Sequence, residues 1–406
     1  NFVYAIGLII ANVPQGLIPT VTMLLTISAK KLGHRQVMVK RLESVETLGS
    51  TTVIASDKTG TLTQNRMTVV DLWYDGRMTS VAYDRYMKEK PEGVDLNKLN
   101  KSSLSTFEML QRCIGLCNRT VFEPDEANLT RPYLDRECIG DASEAALLKY
   151  FVSRPDIADI DEMRDLFPKV FEIPFNSKNK WQLSIHRNMS DESGPRVLLI
   201  KGAPERIIAK CNRIRCEGQD MKLDEDWKDN FQQAYEHLAA KGERVLGFAT
   251  IVLDPSKYPA SMDRDYNEAN IPTDGFIFLG LTGLMDPPKV GVPEAIEKCK
   301  YAGIQVIMVT GDHPATAKSI AKQVGIIEGK TVEDIAEEED CRPEDVDLAR
   351  ADAVVIHGER IETFSDSDWR DILSKKQIVF ARTSPQQKLE IVERLQRAGH
   401  IVAVTG

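Results

Sequence analysis

Apolar and polar positions along the chain follow two different patterns. From Asn1 to Ala29 no charged residue occurs, and "NFVYAIGLII" runs straight into "ANVPQGLIPTVTMLLTISA". About 20 consecutive apolar residues are enough to cross a bilayer, so this stretch predicts a transmembrane helix, with a buried core helix as the alternative on length alone. It is too long for a signal-peptide core, and no basic region precedes it. Lys30, Lys31, Arg35, Lys40 and Arg41 follow with no acid among them, which assigns that end and everything after it to the cytoplasmic side. The chain opens inside a hydrophobic run and lacks an initiator Met, so it reads as an internal fragment of a longer protein. "RQVMVKRLESVETLG" (35–49) has helix-compatible spacing and would link the span to the first strand.

Beyond residue 50 the pattern changes to short β-rich runs, each ending in small or polar residues. They are "TTVIASD" (51–57), "FIFLGLTGLMD" (276–286), "IQVIMVTGD" (304–312), "ADAVVIHG" (351–358), "QIVFARTS" (377–384) and "HIVAVTG" (400–406). Helical patterns separate the later ones: "VPEAIEKCKYAG", "HPATAKSIAKQVG" and "SPQQKLEIVERLQRAG". Buried strands alternating with helices predict a doubly wound parallel sheet, with ligands beyond the carboxyl ends of its strands. Asp57, Asp312 and Thr405-Gly406 fall at that edge. Between the first two runs lies a block of about two hundred residues with mixed polar strands and helices, the size of an inserted domain. Asp286-Pro287-Pro288 marks its return as a stiff strap. The expected divisions are 1–49 for the span and stalk, 50–75 and 285–406 for the α/β domain, and 76–284 for the insertion.

Charge and cysteine content narrow the functional classes. A formal net charge of −9 with no basic stripe excludes a nucleic-acid partner. The seven cysteines are scattered, without CxxC spacing or a histidine cluster, which argues against a zinc site or a disulfide framework. Reduced thiols in a cytosolic compartment are the default, and the sequons at Asn118, Asn128 and Asn188 are then chance matches. The acidic "EDIAEEEDCRPED" (333–345) reads as a solvated surface segment.

The strand ends carry the candidate chemistry. An aspartate that attacks a phosphoryl group and holds it as an acyl phosphate splits one hard displacement into two easier ones. Nucleophile and phosphate are both anionic, so a divalent cation and a lysine are needed, with hydroxyls and backbone N–H groups on the phosphate oxygens. In "SDKTGTLT" (56–63), Asp57 offers the nucleophile, while Thr59 offers a carbonyl to the metal and a hydroxyl to phosphate. Gly60 lets the backbone come close. Thr310 and Gly311 add phosphate donors, and Lys388 in "TSPQQKL" adds the cation. Each motif has a bland alternative as a turn or a solvated lysine; together, in order on strand ends, they point to phosphoryl transfer. "GIIEGKT" (325–331) is one residue short of a Walker A loop and sits among acids.

"DKTGTLT" resembles the phosphorylation loop of P-type cation-transporting ATPases, members of the haloacid dehalogenase-like superfamily. The resemblance continues in order through "GDASEAALLK", "PFNSKNKWQLSIH", "KGAPE", "GERVLGF", "DPPK" and "MVTGDHPATAKSIA". "IANVPQGL", "LESVETLGS" and "TLTQNRMTV" look like the sodium/potassium and proton/potassium pump alpha subunits. It implies a Rossmann-like haloacid dehalogenase-type phosphorylation domain, an inserted α+β nucleotide-binding domain and one preceding transmembrane helix. The implied catalytic set is Asp57, Lys58, Thr59, Thr310, Gly311, Asp312 and Lys388, with Mg2+ at Asp57 and Thr59. Phe175 would stack on adenine, with Glu144, Lys180, Gln182, Lys201, Gly202, Arg244 and Asp286 completing the ATP set. Pro14 and Pro19 each remove a backbone donor from the span. The resemblance assigns cation coordination there to Ile10, Ala11, Val13 and Gln15, a kinked span without ligand role being the alternative.

The implied protein is a multi-pass pump of a plasma membrane, with the bulk of this chain cytoplasmic. Its implied partners are ATP, the monovalent cations Na+, K+ or H+, the lipid bilayer and an accessory beta subunit. Two departures matter. Gln15 stands where the family usually has glutamate, keeping an oxygen ligand but losing a charge and a titratable proton, which leaves ion selectivity open. The chain also ends at "VAVTG", where the family continues into an aspartate-bearing loop that completes the magnesium site, so turnover by this segment alone is not expected. The rival classes are a membrane-anchored superfamily phosphatase with a capping domain and a non-catalytic ATP-binding scaffold. A phosphatase cap has no need of the adenine-pocket motifs, and a scaffold would tolerate loss of Asp57.

Overall fold

The computed structural model describes residues 16–81, 101–153, 159–189, 191 and 194–406. Two compact units emerge. One gathers Asn1–Asp57, Pro293–Asp312 and Gly325–Gly406; the other gathers Lys58–Val292 and His313–Val324.

The first unit is built on five parallel strands: β1 (Val53–Ser56), β2 (Gln305–Val309), β3 (Ala353–His357), β4 (Gln377–Ala381) and β5 (Val402–Thr405). Their spatial order is β3-β4-β2-β1-β5. Val53, Ile307, Val309, Val354, Ile356, Ile378 and Phe380 pack with Trp369, Ile391 and Leu395 from flanking helices into one core. Helices of this unit start where the side chains dictate. Thr331, Ser365 and Ser384 each form a capping box with the residue three positions on, before helices Val332–Glu338, Asp366–Leu373 and Pro385–Arg397. Satisfied first-turn N–H groups define these starts sharply.

The second unit is a nine-stranded sheet. Along its main path lie Gln219–Lys222, Cys211–Cys216, Phe276–Met285, Arg244–Val252, Val197–Gly202, Trp181–His186 and Lys169–Ile173. Thr68–Tyr74 also pairs with Phe276–Met285, and Arg77–Ser80 pairs with Thr68–Tyr74. Every pairing is antiparallel except that of Phe276–Met285 with Cys211–Cys216. One face packs on helices Lys101–Leu116, Ala142–Val152 and Ile160–Leu166 through Leu110, Ile114, Leu147, Leu148 and Phe151. The other packs on helix Glu225–Ala240 through Phe231, Ala234 and Leu238.

A parallel α/β sheet and an inserted antiparallel α+β sheet are thus both present. Two expectations need correction. "FIFLGLTGLM" does not join the parallel sheet: it is the central strand of the antiparallel one, and all ten of its residues are buried. An uninterrupted apolar run reports burial on both faces, which a covered antiparallel strand shares with a parallel one. The predicted transmembrane helix is also not found: among the described residues no helix is long and apolar enough to cross a membrane. Helix Leu17–His34 has 18 residues and carries Lys31 and His34 in its last turn, so its apolar portion falls short of the ~30 Å hydrocarbon core. The remaining residues of that expectation, 1–15, lie outside the described residues.

One core histidine gives the second unit an acid limit. His186 is buried, its Nδ1–H donating to the Phe167 carbonyl at 2.9 Å and its Nε2 accepting from the Ser184 hydroxyl at 3.0 Å. Burial first, and the Lys169 and Arg164 charges after it, lower its pKa to about 4. A lowered histidine contributes fully above its unfolded pKa of about 6.5 and loses that contribution as pH falls toward the folded value. Urea unfolding should therefore show stability falling by about 3 kcal/mol between pH 7 and 4 from this group; His186→Gln should flatten that part of the profile.

Candidate functional site

In the first unit, Asp57 follows β1 directly, and its N–H donates to the carbonyl of Thr405 at 2.9 Å. Lys388 lies on the first turns of helix Pro385–Arg397. Its Nζ reaches Asp57 Oδ2 at 2.5 Å, with both side chains about one-third exposed. The capping box at Ser384 and Pro385 fixes where that helix begins, and so where the ammonium stands. Thr310, at the end of β2, is buried; its N–H donates to Phe380 O at 2.8 Å, and its Oγ1 accepts from the Asp312 N–H at 3.2 Å. Thr383 closes the loop by donating both N–H and Oγ1–H to Thr310 O, each at 3.0 Å. The Asp312 carbonyl accepts from Arg382 N at 2.9 Å, with Arg382 in the left-handed region at φ 56°. A Cβ on Gly311 would lie 3.7 Å from Thr383 O, and one on Gly406 would lie 3.5 Å from Asp57 Cβ. Asp57, Lys388 and the Thr310–Asp312 loop thus come from the carboxyl ends of β1 and β2 and the helix after β4. A half-open carboxylate faced by a fixed ammonium can accept an anionic group without isolated charge.

In the second unit, Lys58–Leu62 form an irregular loop, with Gly60 at φ 74° making the turn. Asp286 holds this loop. Its Oδ2 accepts from Thr63 Oγ1 at 2.6 Å and its Oδ1 from Arg66 N at 3.0 Å, and the buried Lys58 Nζ lies 4.0 Å away. Gln64 N donates to Pro287 O at 3.0 Å, Lys289 N donates to Leu62 O at 2.9 Å, and Lys289 Nζ reaches Gly60 O. Asp286, expected with the ATP residues, ties the "DPPK" strap to the "DKTGTLT" loop.

All but Lys180 of the other expected ATP residues line a cavity of about 450 Å³: Glu144, Phe175, Gln182, Lys201, Gly202 and Arg244. Lys201 and Glu144 form a buried ion pair at 2.7 Å, and Glu144 Oε2 also accepts from Arg119 N at 3.2 Å. Gln182, buried, donates to Glu172 Oε1 at 3.1 Å, and Arg244 Nη1 donates to Ser143 Oγ at 3.0 Å. Phe175 is 55% exposed on the loop after strand Lys169–Ile173, an aromatic face left open rather than packed. A Cβ on Gly202 would lie 2.4 Å from Lys180 O, so only glycine fits there. Lys180 is exposed and stands outside the lining. Sequence reasoning missed Arg119 and Asp141 on that lining. Asp141 was legible as a helix cap, since its side chain accepts from Ser143 N and Glu144 N; Arg119 had no local signal. Ile10, Ala11, Val13 and Gln15 lie outside the described residues.

The comparisons follow this geometry. Residues 106–291 match the family described as P-type ATPase, cytoplasmic domain N. Over its whole length the chain is 49% identical to sodium/potassium-transporting ATPase subunit alpha-1 of Oreochromis mossambicus and 49% identical to subunit alpha-2 of Gallus gallus. It spans 39% of the length of these relatives. The chain belongs to the P-type cation-transporting ATPases and is alpha-subunit-like throughout.

Breaking the pocket's ion pair should be costly. Lys201→Met leaves the Glu144 carboxylate buried without its ammonium, and chemical denaturation should show a loss of about 3–5 kcal/mol. Adding Glu144→Gln to that variant should recover most of it.

Proposed function

We propose that this chain carries the catalytic machinery of a P-type pump that couples ATP hydrolysis, through an aspartyl phosphate on Asp57, to Na+/K+ exchange across a membrane. The observation that carries the proposal is the 2.5 Å pair of Lys388 with Asp57 at the carboxyl end of β1. The names of the alpha-subunit relatives support the choice of ions. On this reading residues 50–75 and 285–406 form a haloacid dehalogenase-type phosphorylation domain, and 76–284 bind the nucleotide. Residues 1–49 would lead into the phosphorylation domain, with Ile10, Ala11, Val13 and Gln15 toward the transported cation and an accessory beta subunit as partner.

Adenine would lie on Phe175, with Lys201, Gln182, Glu144, Gly202 and Lys180 around it and Arg244 toward the phosphates. An Asp57 carboxylate oxygen attacks the γ-phosphorus; the bond to the β,γ-bridging oxygen breaks, and ADP leaves with that electron pair. Lys388 offsets the charge gathered around the new acyl phosphate, and Thr310 and Gly311 donate to its oxygens. Water then hydrolyses the acyl phosphate and returns the carboxylate. For Mg2+ the donors present fit: the partly exposed Asp57 carboxylate and the Thr59 carbonyl are hard oxygen ligands, few enough to leave room for water and phosphate. When bound, Mg2+ supplies positive charge to the phosphate oxygens. Lys58 and Asp286 hold the loop that presents Thr59, and Asp312 closes the Thr310 loop.

The test is acid-stable, hydroxylamine-sensitive labelling of the intact parent protein by ATP. Na+ should raise the label and K+ should discharge it. Asp57→Asn should abolish it, and Lys388→Ala should lower the labelling rate by about 10²–10³. Label driven by protons rather than Na+ would assign a proton/potassium pump, and label indifferent to both ions would defeat the transport reading.

A further inference from the structure

Outside the residues given roles above, one cluster combines burial, charge and a position next to the pocket wall. Glu243 immediately precedes Arg244. Its side chain is buried, one of its oxygens, Oε2, has no hydrogen-bond partner, and its carboxyl group faces that of Asp71. Asp71, on strand Thr68–Tyr74, is itself buried and accepts from Lys241 Nζ at 2.6 Å. Room for Glu243 exists only because position 283 is glycine: a Cβ there would lie 1.6 Å from Glu243 Oε2. The same short segment is fixed on its other side. Gly242 has φ 76°, a Cβ on it would lie 2.6 Å from Thr316 Cα, and Thr316 Oγ1 donates to the Gly242 carbonyl at 3.3 Å.

We propose that Glu243 is a positioning residue for the nucleotide pocket: hydrogen-bonded to Asp71, it clamps Gly242–Arg244 so that the Arg244 guanidinium stays on the cavity wall. This rests on the nucleotide reading of that cavity. The strands around it, Thr68–Tyr74 and Phe276–Met285, and the end of helix Glu225–Ala240 present Asp71, uncharged Gly283 and Lys241, so Asp71 and Lys241 are the charges that face it. Two carboxyl groups sharing a buried hydrogen bond cannot both ionise cheaply. Burial first, and the Asp71 charge after it, push Glu243 up to about 9. Burial would also raise Asp71, but the hydrogen bonds from Lys241 and Glu243 and the Lys241 charge bring it below its ordinary value. The proton therefore sits on Glu243 at neutral pH and donates to the Asp71 carboxylate. An acid raised on folding contributes fully below its unfolded pKa, and that contribution is lost as pH rises through about 9. Glutamate is thus kept here at a cost in stability, which suits a functional group better than core filler.

The experiment measures ATP binding, without added metal, to the full chain between pH 7.5 and 10, with circular dichroism at each pH to confirm folding. Wild type should weaken at least threefold across this range. Glu243→Gln, which keeps a donor for Asp71 but cannot ionise, should match wild type at pH 7.5 and stay flat. Glu243→Ala should weaken binding at pH 7.5 about as much as Arg244→Ala. A Glu243→Gln profile that tracks wild type, or wild-type affinity in folded Glu243→Ala, overturns the proposal. Absence of ATP binding by wild type at pH 7.5 removes the nucleotide reading and the positioning role with it. That failure is told apart because the Glu243→Gln variant would still lose less thermal stability than wild type on raising pH.

Discussion

The second unit depends on the burial of Phe276–Met285 from both sides. This strand carries the unit's only parallel pairing among the described residues, and three strands hydrogen-bond to it along its length. Helices cover both of its faces, so its side chains feed two separate cores, Leu279 and Leu284 into one and Phe278 and Leu281 into the other. Phe278 lies edge-on to Phe231 and tilted to Trp73. Because Arg244–Val252 pairs alongside and Val197–Gly202 pairs beyond it, the placement of Arg244, Lys201 and Gly202 on the pocket follows from the register of this one strand.

The charged groups near the candidate sites are handled by pairing rather than by solvent. Lys201 with Glu144, Lys58 with Asp286, and Lys241 with Asp71 each set an ammonium against a buried carboxylate. Such pairs cost desolvation and are weak evidence for stability, but they define position, because either partner alone is strongly disfavoured. Asp57 and Lys388 differ in being about one-third exposed. The Asp57 carboxylate is open to solvent on one side, whereas the Asp286 carboxylate is taken up by Thr63 and Arg66.

Much of this was legible in the chain. Strand ends with small or polar residues located Asp57, Thr310 and Asp312, since period and turn chemistry are local properties. The partnership of Asp57 with Lys388 is 331 positions long in sequence and was reachable only through the chemistry that phosphoryl transfer demands. Where local pattern was the sole guide it failed for a definable reason. "FIFLGLTGLM" reports burial on two faces without reporting strand direction, and the apolar start reports hydrophobicity without reporting where a helix ends. Asp286 read as part of a stiff hinge beside two prolines, but which groups its carboxylate would meet depends on tertiary contacts with Thr63 and Arg66. Glu243 gave no sequence signal, because its surroundings are assembled from Asp71, Lys241 and Gly283.

The bridge between Thr63 and Pro288, with Gln64 N bound to Pro287 O, brings the two ends of the second unit's Lys58–Val292 stretch side by side. Chain entry and chain exit are zipped together by backbone hydrogen bonds and one carboxylate. A module whose two ends meet this closely asks little more of its host than a short connecting turn would. Close ends of this kind are the condition under which domain insertion is tolerated. The strap thus makes a long excursion of the chain begin and end at one place, as a short turn does.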